Sequence, residues 1–441
     1  MEKIRGIQVN KLNKSCENLE ELSKEQLISQ IKSLQAHNLQ LKSILSKSLN
    51  RNEVSSPKKQ KPFDFTKCST RHILLKFFYL GWDYQGFATQ ENTNDTIEYH
   101  LFKALERTCL IKDRASSNYH RCGRTDKGVS SFGQVISITV RSKLSEDQMD
   151  KIEEEINYCQ VLNRVLPKEI QCIAWRPVSE GFSARFDCKS RTYKYFFPMG
   201  KLNIENMRKA SAYCLGTHDF RNLCKMDVGN GVVEFERTIV EVIIEPVLPN
   251  QSLDGNYINI KLLYIHVFFY VEYSMFVLTI KSGGFLWHQI RCMLGILFLV
   301  GQNKEPPEII QELLNVEKNP CKPDYNMASE IPLNLYSADY ILESDWYCEE
   351  ENLTTVVEEL RKMWTLNSIK SDMMRTMIND LSKELKQPNI KCLSESLIQG
   401  IRSKEYLPVM KRKKCDSLEK KIAHYLKRSR ITIKDEEKTD L

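Results

Sequence analysis

Just after Arg71 the chain reads "HILLKFFYLG" (72–81), loosely alternating and rich in apolar and aromatic side chains, which predicts a strand through Tyr79. Ile97, Leu101, Leu105 and Leu110 then fall close to helical spacing and predict a helix over 96–110, with Asp95 as its N-cap. Residues 134–142 read as a strand. Residues 144–162 read as a helix opened by a capping box of Ser145 and Gln148. The second half repeats this grammar. Strands are predicted over 191–200, 238–247 and 274–283, a helix over 204–216 stopped by Gly216, and an apolar helix over 285–301. Strands and helices interleaved in two similar halves predict an α+β fold, each half a mainly antiparallel sheet with helices on one face.

The flanks have a different texture. Leu27, Ile31, Leu34, Asn38, Leu41 and Leu45 recur at alternating spacings of four and three, the a/d pattern of a short coiled coil with Asn38 setting register. A lone amphipathic helix fits the same spacing. The expected organisation is an N-terminal helical extension (1–50), a polar linker (51–70), two halves of the main folded domain (71–180 and 181–345), a helical extension (346–400) and a basic, mobile tail (401–441). The longest apolar runs, 262–271 and 292–300, fall short of the roughly 20 residues a membrane span needs, so no membrane partner is expected. The first residues lack the apolar run of a secretory signal.

Charge sharpens the picture of the tail. The 441 residues carry a formal net charge of +7, yet 401–430 alone holds eleven Lys/Arg against three Asp/Glu, so the rest sums to about −1. A basic tail suggests an anionic partner such as nucleic acid, a nuclear address, or simply a solvated helix. The fourteen cysteines include no C-x-x-C pair and offer no zinc signature. They read as reduced thiols of a protein of the nucleus, the cytoplasm or both.

Three stretches could carry chemistry. In "NYHRCGRTDKGVSSFGQV" (118–135) one carboxylate, Asp126, sits among His120, Arg121, Arg124 and Lys127, between Gly123 and Gly128. Such a carboxylate should be ionised and able to act as base or nucleophile, although composition alone favours a solvated turn. Arg291 lies in an otherwise apolar helix. It must either find a buried carboxylate partner or reach solvent at the helix start. "SARFDCKSRTYKYFF" (183–197) interleaves basic and aromatic residues, as phosphate contacts and base stacking would require, or as a strand with tyrosines in the core would show. His218–Asp219 lacks a third ligand nearby and reads as a helix-terminal turn.

Taken in order, "YLGWDYQGFATQ" (79–90), "CGRTDKGV" (122–129), "FGQV" (132–135), "FSARFDCKSRTYKY" (182–195), "GTHDF" (216–220), "RTI" (237–239) and "FLWHQIRCMLG" (285–295) resemble the TruA family of tRNA pseudouridine synthases over roughly 71–340. "HDFRNLCKMD" and "KNPCKPDYNMA" look closest to its eukaryotic branch, which acts at positions 38 and 39 of the tRNA anticodon arm. The resemblance implies that Asp126 is the catalytic nucleophile. It implies that Arg124 replaces the nucleotide flipped out of the stem, that Tyr193 stacks on the flipped base, and that Arg291 forms the supporting ion pair with Asp126. Arg121 is expected at the substrate as well, with Lys127 and His288 as candidate RNA contacts.

No metal or organic cofactor is expected, and the fold should close around a basic central cleft, with a homodimer binding tRNA. Residues 250–272, in "LPNQSLDGNYINIKLLYIHVFFYVEY", exceed the family pattern and read as an insertion. A non-catalytic RNA-binding protein and an aspartate-based glycosyl hydrolase are the competing classes. The first is disfavoured by the intact Asp126, Arg124 and Tyr193, the second by the lack of another acid in the motif.

Overall fold

A computed structural model describes residues 63–226, 228, 231–247, 273–342, 345–385, 396–400 and 405–427. The heptad segment, residues 51–62 of the linker, the 250–272 segment read as an insertion and the end of the tail lie outside the described residues.

Among the described residues, nine strands form one mixed sheet: β1 (Thr70–Tyr79), β2 (His120–Arg121), β3 (Ser130–Arg141), β4 (Ile170–Pro177), β5 (Ser190–Pro198), β6 (Gly216–Asp219), β7 (Glu236–Pro246), β8 (Met275–Ser282) and β9 (Leu333–Asp339). Their order is β4-β1-β3-β9-β5-β8-β7-β6, with β2 paired to β3 at its side. Every pairing is antiparallel except β3 with β9, where Ser130 lies opposite Asn334 and Ser131 opposite Leu335. The last strand in sequence thus inserts between β3 and β5. This joint positions the site, because the Asp126 loop runs directly into β3 and Tyr193 lies on β5 opposite Leu335.

β1 is buried almost throughout, and its two faces enter different clusters. Ile73, Leu75, Phe77 and Tyr79 pack under helix α1 (Ile97–Arg107) and helix α2 (Tyr158–Asn163), whereas Leu74 faces a smaller cluster with Cys122, Val135 and Ala184. A second large core gathers β5, β7 and β8 with helices α3 (Ile204–Ala212), α4 (Gln289–Gly301) and α5 (Ile309–Leu314). α4 is hydrophobic all round because all but one of its residues are buried. Helix α6 (Glu350–Lys383) follows β9 in sequence, and residues 418–427 are helical as well. Among the described residues, no helix is long and apolar enough to cross a membrane.

Several elements depart from the sequence pattern. Residues 144–162 form two short 3₁₀ turns and only the six-residue α2, and Ser145 makes no side-chain cap bond. Buried Glu155 explains this. Its carboxylate accepts from Ser142 Oγ (2.6 Å) and the Lys143 and Ile156 amides, and it faces Arg71 Nε at 3.0 Å, holding the chain in turns that a continuous helix would break. α1 is capped by Thr96, whose side chain accepts from the Tyr99 amide, and not by Asp95. His218–Asp219 belongs to strand β6 and not to a helix-terminal turn. Residues 405–427, expected in a mobile tail, pack on the second core. Val409 and Leu418 are buried there, and Glu305 accepts from the Val409 amide (2.7 Å) and the Tyr406 hydroxyl.

Candidate active site

The loop that carries Asp126 is fastened from behind. The Tyr79 hydroxyl lies 2.7 Å from Thr125 Oγ1, Phe87 N donates to Thr125 O (3.1 Å), Gly128 N donates to Tyr84 O (3.2 Å) and the Gln134 amide donates to Gly123 O (3.1 Å). The residues of "YLGWDYQGF" and "FGQV" therefore work as the mount for the loop between them. Gly128 is required twice over. Its φ is +78°, and an added Cβ would lie 2.7 Å from Glu330 Cγ. A Cβ added at Gly123 would meet only Arg191 Nε, at 4.0 Å.

Asp126 faces the start of α4. His288 Nε2 lies 3.1 Å from Asp126 Oδ2, and Trp287 Nε1 donates to Oδ1 at 3.3 Å. His288 sits at the N-cap of α4 with φ +56°, a strained backbone for a residue with a Cβ. Burial pushes the Asp126 carboxyl up, but the His288 hydrogen bond and charge, the Arg291 charge and the Trp287 N–H outweigh it, so its pKa lies below the ordinary 3.8. The carboxylate is ionised at neutral pH.

Arg291, one turn further along α4, does not make the ion pair expected of it. Its Nη2 donates to Glu330 Oε2 and to Gln399 Oε1, both at 2.7 Å, and its Nε to Ala328 O at 2.9 Å. The nearly buried guanidinium takes the nearest carboxylate, and its charge still reaches Asp126 across the cavity wall. His288, expected as an RNA contact, is the direct partner in its place.

Arg121 is likewise occupied. It closes on Glu98, a fully buried acid that also takes Arg114 (3.0 Å), the Tyr119 hydroxyl (2.8 Å) and the Thr89 amide (2.9 Å). Burial alone would raise Glu98, and these partners more than reverse it. Arg124 and Lys127 are exposed, and neither makes an ion pair among the described residues. The charges of Arg121, foremost, and of Arg185, together with partial burial, press down on Arg124. Beside them Phe186 is 73% exposed, with its ring 6.1 Å from that of His120. Positive charge and an unburied aromatic share this surface.

Two cavities meet at Asp126. One of about 130 Å³ is lined by Asp126, Arg124, Tyr193, Phe285, Trp287 and His288. Tyr193 stands edge-to-face with Phe285, centroids 5.3 Å apart, and burial pushes its hydroxyl far above the ordinary range, so the phenol stays neutral. The other, about 550 Å³, shares Arg124, Asp126, His288 and Arg291 and adds Phe87, Glu330 and Gln399. An ionised carboxylate, a neutral aromatic wall and unpaired cations at the rim suit attack on a base or sugar drawn out of a polyanion.

Trp287, Glu98, Glu330 and Gln399 escaped sequence reasoning. Trp287 lay inside a quoted motif. Nothing in "SLIQG" marks Gln399, which reaches the site only through the fold.

The model of a family described as tRNA pseudouridine synthase matches residues 210–341, which include His288, Arg291 and Glu330. Mouse tRNA pseudouridine(38/39) synthase is 41% identical over 94% of this chain and 91% of its own length. The human protein of that name is 40% identical over 96% and 89%. An archaeal tRNA pseudouridine synthase A, from Methanothrix thermoacetophila, is 27% identical over 69% of this chain and 98% of its own. On these likenesses the chain belongs to the family its motifs resemble, the TruA family of tRNA pseudouridine synthases.

Proposed function

We propose that this protein isomerises uridine to pseudouridine at positions 38 and 39 of the tRNA anticodon stem-loop, with Asp126 as nucleophile. The observation that carries the reading is Asp126 itself, ionised and held between His288 and Trp287 where the two cavities meet. The mammalian relatives, named for positions 38 and 39 and similar over most of the chain, support the choice of positions.

Asp126 attacks the ribose or the base of the flipped uridine. The N1–C1′ bond breaks, the uracil turns in the pocket, and C5 bonds to C1′. The C5 proton is lost and N1 gains one, so the reaction balances as an isomerisation and needs no co-reactant. Tyr193, neutral and walling the smaller cavity, stacks on the base and donates a hydrogen bond. Arg124, unpaired at the rim, fills the space left by the nucleotide, offsetting a flipping cost of about a few kcal/mol.

Arg121, Arg124, Arg185 and Lys127 contribute to a basic cleft between two halves of the catalytic domain. The protein works as a homodimer on tRNA, in the nucleus, the cytoplasm or both. Light scattering with and without tRNA tests the dimer, and imaging of the tagged full chain tests the location.

The decisive experiment maps pseudouridine in tRNA treated with wild-type protein and with Asp126→Ala. The variant should form none while binding tRNA within a few-fold of wild type. Retained turnover would overturn the assignment, and a product at other positions would overturn the site choice.

A further inference from the structure

Residues 396–400 come late in the chain yet run beside the 326–329 segment next to the site. Ser329 N donates to Leu397 O at 2.7 Å, Gln399 N donates to Met327 O at 3.1 Å, and Ile398 forms an antiparallel bridge with Ala328. Gly400 follows with φ +93°, where an added Cβ would lie 3.1 Å from Asn326 Oδ1. The effect is to set Gln399 between two opposite charges. Its Oε1 accepts from Arg291 Nη2 at 2.7 Å, and its Nε2 donates to Glu330 Oε2.

The chemistry of an amide suits this place. Glutamine offers an acceptor to the cation and a donor to the anion without adding charge. A carboxylate there would crowd Glu330, and an ammonium would crowd Arg291. Glu330 in turn lies against Gly128, two residues from Asp126. Asp126, Arg291, Glu330 and Gln399 all line the 550 Å³ cavity. Arg291 is therefore held from three sides, and its charge is presented to Asp126 from a fixed position.

We propose that Gln399 is a positioning residue for the uridine isomerisation: it holds the Arg291 guanidinium on Glu330 and so keeps that charge facing Asp126. The C-terminal extension is thereby part of the active site. The inference rests on the reading of Asp126 as nucleophile.

The test uses the full chain with Gln399→Met, which keeps length and volume but loses both hydrogen bonds, and Gln399→Glu, which keeps the acceptor and adds a charge. Asp126→Ala runs alongside. Single-turnover rate and tRNA Kd are measured across pH. Gln399→Met should lose about tenfold in rate, as displaced catalytic groups do, with Kd within about twofold. The acid limb of its pH–rate profile should move upward, and Gln399→Glu should move it the same way. A side chain that only packs would leave rate and acid limb unchanged in Gln399→Met. That outcome, with Asp126→Ala inactive, overturns the positioning role alone. Turnover in Asp126→Ala overturns the reading of the site and this inference together. If Gln399→Met does not fold, Gln399→Glu decides: an upward shift supports the role, and a wild-type profile overturns it.

Discussion

His288 Nε2 lies 3.1 Å from Asp126 Oδ2, and it does so from a backbone at φ +56°. The left-handed turn lets the chain enter α4 with Trp287 and His288 both aimed at one carboxylate. It costs about 1–2 kcal/mol that the surrounding structure must offset.

His288→Gly relieves that strain while removing the imidazole, so we expect little change in melting. The Asp126 carboxyl should climb toward its ordinary value, moving the acid limb of the pH–rate profile upward. A depressed carboxyl contributes stability that is present above its unfolded pKa near 3.8 and lost as pH falls through the folded value. The stability owed to the pair should accordingly vanish in acid. An unmoved acid limb would show that His288 does not set the charge of Asp126.

Arg291→Leu strips the half-buried Glu330 and Gln399 of a buried cation. Removing one partner of a buried pair costs about 3–5 kcal/mol. Chemical denaturation should show a loss of that size, and a wild-type midpoint would mean the network is dispensable.

Arg121 and Arg124 stand three residues apart but should behave in opposite ways. Arg121→Ala leaves buried Glu98 short of a partner and should cost about 2–3 kcal/mol of stability. Arg124→Ala removes an exposed, unpaired side chain and should leave stability within about 0.5 kcal/mol. Pseudouridine formation should nonetheless fall sharply in Arg124→Ala. Calorimetry and a tRNA assay on both variants separate the roles.

Truncation before Tyr406 is not a clean test of RNA binding by the basic tail. It uncovers the core around Val409 and Leu418 and leaves Glu305 without the Val409 amide. We expect a melting transition lowered by several degrees. Replacing Lys411, Lys413 and Lys414 with Gln in the intact chain should leave melting unchanged and report the tail's share of tRNA affinity.

The segment read as an insertion is flanked by paired neighbours. Val247 N donates to Met275 O at 2.8 Å, and Pro246 pairs with Phe276. A short turn can close β7 onto β8, so deletion of 257–271 should leave folding and activity intact. Collapse of the deletion variant would count strongly against reading it as an insertion.

What the sequence by itself determined is what repetition along the chain can encode. The apolar runs of β1 and α4 and the spacing of Ile97, Leu101 and Leu105 announced their elements, because burial of one face imposes a period. Asp126 was singled out by contrast with its basic neighbours. Short elements such as β2 and β6 carry too few residues for a period to register. The 144–162 segment misled because its helical spacing was overruled by one buried acid, Glu155, and its distant partner Arg71.

Only the tertiary structure decided who meets whom. That a guanidinium on α4 needs a carboxylate follows from the cost of burying charge, but the choice of Glu330 over Asp126 depends on which acid the β3–β9–β5 joint brings within reach. His288 and Gln399 reached their partners by the same route, since contacts so distant in sequence leave no local trace.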